Sequence, residues 1–282
     1  MPDLDLAQQF LAARGRILDR RRFERLFLDG DAAPVRDAVA AYRNADGGFG
    51  HGLEPDGRTP GSQPAATEQA LRILHQADAW DDELVRGACD QLQAAAPAEG
   101  GAVFVAPNVE GWPAAPWWQP QDGASPVSTG QILGTLHARG VEHPWVEQAT
   151  ELMWRLVDGL DDPGAYDLIG ALRFLDHAPD RERAAAALER VAPALRGVVT
   201  LDPDAPGETH SPLTFAPEPG SIARPLFDDA TIAAHLDHVA AGQQDDGGWT
   251  FNFPAWSPAA EADWRGCVTV DSLDMLRRNG LA

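Results

Sequence analysis

Lysine is absent from this chain of 282 residues; all 22 of its cations are arginine. That absence removes Schiff-base chemistry, the phosphate-gripping lysine of P-loop sites and lysine general bases together. Cysteine is nearly absent as well. Cys89 and Cys267 form neither a disulfide framework nor a metal-type spacing, which suits small core residues in a reducing, cytoplasmic compartment. No apolar run approaches the ~18 residues of a spanning helix, and the opening Met1-Pro2-Asp3-Leu4 lacks a basic segment, so neither a membrane span nor secretion is expected. Positive charge is scarce: 43 acidic residues leave a net charge of −21. Nucleic acid and anionic membranes are therefore poor partners, because phosphate binding needs clustered cations. GxGxxG, GxSxG and HExxH are all missing, and no cofactor is expected.

What the chain does contain is self-similarity. Asp46-Gly47-Gly48-Phe49 returns 200 residues later as Asp246-Gly247-Gly248-Trp249, with a degraded copy at Glu99-Gly100-Gly101. The first two follow Ala-rich amphipathic stretches and lead into Pro/aromatic loops. The unit is helix, Gly-Gly turn, loop, helix. Helical periodicity predicts helices near 4–13, 15–29, 33–45, 64–78, 81–96, 127–139, 143–159, 164–178, 180–196, 228–242 and 267–280. Strand-like alternation is missing, so the fold class is all-α. Three stretches share a frame: Thr67-Glu68-Gln69, Thr129-Gly130-Gln131 and Thr269-Val270-Asp271, each followed by leucines spaced by three. Such helices share a packing face. Helix pairs of this kind, repeated about every 50 residues, close into a barrel whose loops gather at one mouth.

Gln243-Gln244-Asp245-Asp246-Gly247-Gly248-Trp249 resembles the QW motif of squalene–hopene and oxidosqualene cyclases. Asp46-Gly47-Gly48-Phe49 is a partial match, with Arg43 where the glutamine stands. The same rhythm resembles protein prenyltransferase β-subunits. The resemblance implies an α/α toroid of five or six helix pairs spanning residues 1–282 as one domain. It also implies that the QW motifs are structural and tie outer helices together. The catalytic signatures of those families are missing. Leu226-Phe227-Asp228-Asp229 lacks the first Asp of D-x-D-D and reads as a helix cap. Ala66, Ser128 and Val268 stand where zinc ligands would, so no metal is expected.

Chemistry is expected in the long loops, which in compact domains are commonly functional. His51, Glu54 and Asp56 lie within six residues, with Arg58 beside them. They fit either an acid–base cluster or a loop satisfied by its own pairs. Trp117 and Trp118, like Phe251, Phe253, Trp256 and Trp264, offer apolar faces for a terpenoid, a carbocation or a sugar ring, or simply fill a core. Gln69, Gln131 and Asp271 would form a polar ring around the barrel cavity, with Asp271 the leading catalytic carboxylate and Asp263 a second. His210 is a binding candidate in the loop at 197–227. The leading expectation is a terpenoid-cyclase-like enzyme acting by metal-independent acid/base catalysis on a small isoprenoid or similar apolar metabolite. A carbohydrate-active α/α barrel and a non-catalytic module for apolar ligands or partner proteins are the alternatives.

Overall fold

Proline and short polar side chains set the helix starts. The computed structural model describes residues 1–281. Its α-helices among those residues are, in order, α1 (Leu4–Arg14), α2 (Ile17–Phe27), α3 (Ala33–Ala40), α4 (Pro64–Gln76), α5 (Asp82–Ala94), α6 (Pro126–Ala138), α7 (Pro144–Asp158), α8 (Ala165–His177), α9 (Arg181–Val198), α10 (Pro212–Phe215), α11 (Asp229–Ala241) and α12 (Pro258–Arg278). Pro64, Pro126, Pro144, Pro212 and Pro258 each open a helix, a position whose N–H has no intrahelical partner. Asp3, Asp81, Ser125, Asp228 and Ser257 cap helices by accepting a backbone N–H. Asp228 thus takes the cap role expected of it. Its bond from the Thr231 N–H holds its carboxyl below the usual carboxylate range. No strand occurs among the described residues, only isolated bridges pairing Arg43 with Phe49 and Gly57 with Ala114. No helix among them is long and apolar enough to cross a membrane.

Two differences from the sequence reading matter. The last helix begins at Pro258 rather than near residue 267, so Asp263, Trp264 and Arg265 are helical, not loop, residues. Thr269 and Asp271 consequently sit deep inside α12 instead of in its first turn. Residues 212–215 add a short helix that no periodicity marks.

The chain forms two compact units: Met1–Val35 with the residues from Arg196 onward, and Arg36–Leu195. In the second unit α6 packs between α4 and α8. Its contact with α8 is backbone-close because a Cβ on Gly130 would fall 2.1 Å from the Gly170 carbonyl oxygen, and one on Gly170 2.2 Å from that of Pro126. In the first unit α12 packs on α1, α2 and α11. Its core gathers Phe10, Leu11, Phe23, Trp249, Val270 and Leu273.

The Gly-Gly turns follow one docking rule. The first glycine backs onto a carbonyl of a neighbouring helix, and the second onto the side chain four residues further along that helix. Gly47 lies against Gly87 of α5, and Gly48 against Ser62 and against Gln91 of α5. Gly100 approaches the Gln148 carbonyl and Gly101 Leu152, on α7. Gly247 meets Leu6 and Gly248 Phe10, on α1. The first glycines have φ near 90° in all three copies, a region an L side chain enters only with strain. In the copy at 243–249 the Gln243 amide donates to the Asp3 and Gly247 carbonyls and accepts from the Asp3 N–H. Trp249 donates through Nε1 to the Val239 carbonyl at 2.7 Å. The motif is a clasp between α11 and α1.

Candidate functional site

In the first unit, the face of α2 turned to α12 carries charge where apolar residues would be expected. Arg16, Asp19 and Arg22 follow each other at intervals of three, so they line one side of the helix. Cys267 and Asp271, four apart on α12, answer them. Arg16 donates to Asp19 through Nε at 2.9 Å and to the Cys267 sulfur through Nη2. Arg22 stands 3.7 Å from Asp19 and donates to Asp271. The result is a relay of alternating charge, Arg16–Asp19–Arg22–Asp271. Asp19 and Arg22 are 0% exposed, whereas the Asp271 side chain is 32% exposed. The helices meet this closely because residue 266 is glycine; a Cβ there would lie 2.8 Å from Asp19 Oδ2.

Burying two guanidinium–carboxylate pairs carries a desolvation penalty of several kcal/mol per ion, and similar-sized apolar residues are often as stable or more so. The arrangement holds a carboxylate, Asp271, at the edge of the solvent. Burial pushes the Cys267 thiol up to about 12, with Arg16 opposing. Burial, then the nearby Asp90, does the same for Cys89. Neither sulfur is a thiolate nucleophile near neutrality.

Around α12 the aromatic candidates form one cluster. Phe251 stacks on Phe253 at 4.4 Å, and Phe253 meets Trp264 edge-on at 5.2 Å. Asn252 donates to Thr209 at 3.1 Å, bringing the loop of His210 to the same place. His210 itself sits 6.2 Å from Phe215. Trp256 and Asp263 are half-buried. Thr269 accepts the Trp249 N–H at 2.9 Å, and Thr129 accepts that of Ala102 at 3.0 Å. In these two helices the shared threonine pins the turn that precedes it, whereas the buried hydroxyl of Thr67, the third member of the frame, makes no such bond.

In the second unit the acid–base candidates are held by the loop itself. His51, at φ 56°, bonds Asn44 Oδ1 through Nε2 at 3.0 Å. Glu54 accepts the Asp56 N–H, and the buried Asp56 accepts Trp117 Nε1–H at 2.8 Å. Gln63, Thr59 and Asn108 then stitch this loop to the segment at 106–108. Trp118 is core: a Cβ on Gly57 would fall 2.0 Å from its ring. Trp117, its indole clamped by Asp56, remains 43% exposed, and Trp112 is 51% exposed. Gln69 is buried and Gln131 half-buried. Among the described residues no three His, Cys, Asp or Glu side chains gather as a metal-binding group.

No protein-family model and no curated protein matches the chain. In fold it is similar to the crystal structure of a protein from Actinoplanes. That protein is 17% identical, 98% of each chain is covered, and the TM-score is 0.64.

The sequence reading named Asp271 as a candidate carboxylate and Cys267 as a small core residue; it did not foresee that Arg16, Asp19 and Arg22 would line the face of α2 turned to them. The signal was present: ionic residues at i, i+3 and i+6 interleaved with Leu18 and Phe23, which leaves charge on a face that must be buried.

Proposed function

We propose that the protein is an α/α-toroid enzyme of the terpenoid-cyclase-like type, acting on a small, largely apolar metabolite without a metal. Asp271 is its reacting carboxylate. The observation that supports this reading is the buried Arg16–Asp19–Arg22 relay ending on a partly exposed Asp271. As the anionic half of an ion pair, Asp271 is suited to accept a proton or to face a developing positive charge, rather than to protonate an alkene. The docking of successive Gly-Gly turns on neighbouring helices supports the toroid.

The test has two steps. Mass spectrometry of ligand co-purified with the full chain, followed by turnover assays on that compound and on isoprenoid alcohols and diphosphates, identifies the substrate. Asp271→Asn, still folded by circular dichroism, then lowers kcat by at least 100-fold. Full turnover by Asp271→Asn removes Asp271 from the mechanism. Absence of any isoprenoid transformation removes the terpenoid-cyclase-like reading.

The exposed faces of Trp112 and Trp117 favour a second reading, a carbohydrate-active barrel, because a clamped indole makes a rigid platform for a sugar ring. Saturable oligosaccharide binding that Trp117→Ala abolishes would support it.

A further inference from the structure

We propose that the loop at 199–211 is an acid-released latch on α11, with the buried His235 as its sensor, and that it governs how firmly the aromatic loop of Phe251 and Phe253 is held. The loop closes on itself, because the Thr200 N–H donates to the His210 carbonyl at 2.8 Å. Among the described residues two side chains of α11 fasten it, and both are histidines, three positions apart on one helix face. His235 bonds the Leu201 carbonyl through Nε2 at 3.1 Å, and His238 bonds Asp204 Oδ1 through Nδ1 at 3.1 Å. Near the other end of the loop, Thr209 accepts from Asn252, the residue between the stacked Phe251 and Phe253.

A carbonyl oxygen only accepts, so the Leu201 bond keeps a hydrogen on His235 Nε2 and leaves Nδ1 without one in the neutral ring. His235 is 4% exposed, yet Leu201, Asp202, Asp204 and Glu208 of the loop beside it are themselves exposed. A loop with so little buried opens locally at small cost. The charged groups facing His235 are His238 on its own helix and Asp202 of the loop. The other elements packed on α11, α10 and α12, meet it through the apolar Leu213, Leu276 and Met275. Burial holds the closed ring below the ordinary 6.5, with His238 assisting and the Leu201 bond and Asp202 opposing. Opening returns the ring to water, where it takes up a proton more readily. Closure is therefore firm above about 6.5 and weakens as pH falls below that value. The His238–Asp204 pair has the opposite sign, since it gains when His238 is charged. Its side chains are 51% and 85% exposed, and so solvated a pair contributes little. The buried ring decides. The latch lies wholly in the first unit and does not depend on the role given to Asp271.

Hydrogen exchange of the full chain at about pH 7.5 and about pH 5.5, corrected for intrinsic exchange rates, tests the proposal. Protection of the Thr200 and Ala205 amides falls about threefold or more at the lower pH, and that of residues 250–254 falls with it. His235→Gln, whose amide N–H still reaches the Leu201 carbonyl but takes up no proton, keeps its protection at both values. His238→Gln retains the pH dependence. Long-range nitrogen–proton NMR of the unsubstituted protein finds the His235 hydrogen on Nε2 at about pH 7.5 and a titration midpoint below about 6.5. The latch is overturned by equal protection of the loop at the two pH values, or by a hydrogen on Nδ1 of the neutral ring. A pH dependence that survives in His235→Gln or vanishes in His238→Gln also overturns it. Loosening of 199–211 that leaves 250–254 unchanged overturns its hold on the aromatic loop.

Discussion

Replacing Arg22 by methionine removes the central cation of the α2–α12 relay while keeping most of its volume. Its guanidinium is fully buried, 3.7 Å from Asp19 and bonded to Asp271. Asp19, also fully buried, keeps only the Arg16 bonds at 2.9 and 3.2 Å. Breaking a buried ion pair by removing one partner typically costs about 3–5 kcal/mol. With an m value of ~2 kcal/mol/M, the urea midpoint falls by about 1.5–2.5 M. Asp271→Asn costs less, about 1–3 kcal/mol, because Asp271 is partly solvated and Arg22 retains Asp19. If Arg22 and Asp271 act as a pair, the double variant falls short of the sum by about 0.5–3 kcal/mol. Equilibrium unfolding followed at 222 nm supplies the energies, and hydrogen exchange places the loss in α2 and α12. A cost for Arg22→Met below about 1 kcal/mol, or a cycle additive within ~0.5 kcal/mol, would refute the relay and with it the reason for singling out Asp271.

Gly247→Ala should destabilise more than Gly111→Ala in thermal melts, the latter costing about 1–2 kcal/mol. Both glycines have positive φ, but a methyl at 247 would also lie 2.2 Å from the Leu6 carbonyl oxygen, whereas nothing lies within 4 Å at 111. Equal losses would mean that the clasp on α1 is not formed. Burial, with His177 nearby, holds His137 below the ordinary value of 6.5. Its contribution to stability is therefore full above about 6.5 and declines as pH falls below that value. His137→Gln should flatten the loss of melting temperature between about pH 7.5 and pH 5; an unchanged slope would assign it elsewhere. Both thiols are buried and pushed up to about 12. Iodoacetamide at mildly alkaline pH should leave Cys89 and Cys267 unmodified until urea unfolds the chain, as intact-mass spectrometry would show. Rapid native labelling at Cys267 would contradict its burial against Arg16.

The helices themselves were legible in the sequence because their causes are local: prolines at first turns, Asp and Ser caps, and leucines spaced by three. The Gly-Gly phrases were legible as turns for the same reason, since positive φ excludes most side chains. The start of α12 was not. Pro258 and Ser257 are sound start signals, but the aromatic residues around them read as loop; in the structure Ser257 caps the helix and Arg265 of that stretch lies over the Phe10 ring. The candidate site divided in the same way. Asp271 was visible through a frame shared with Gln69 and Gln131, yet the frame did not predict that Gln69 would be buried and Asp271 partly exposed.

Composition and short-range spacing alone determined an all-helical chain with repeated Gly-Gly turns, no lysine chemistry and a strongly acidic surface. Tertiary structure alone decided which polar groups became partners. Arg16, Asp19 and Arg22 met Cys267 and Asp271 across about 250 residues of sequence, and Asp56 was given to Trp117. Secondary structure obeys interactions within a few residues. The pairing of buried charges depends on which faces come within a few ångströms, and a linear sequence does not contain that distance.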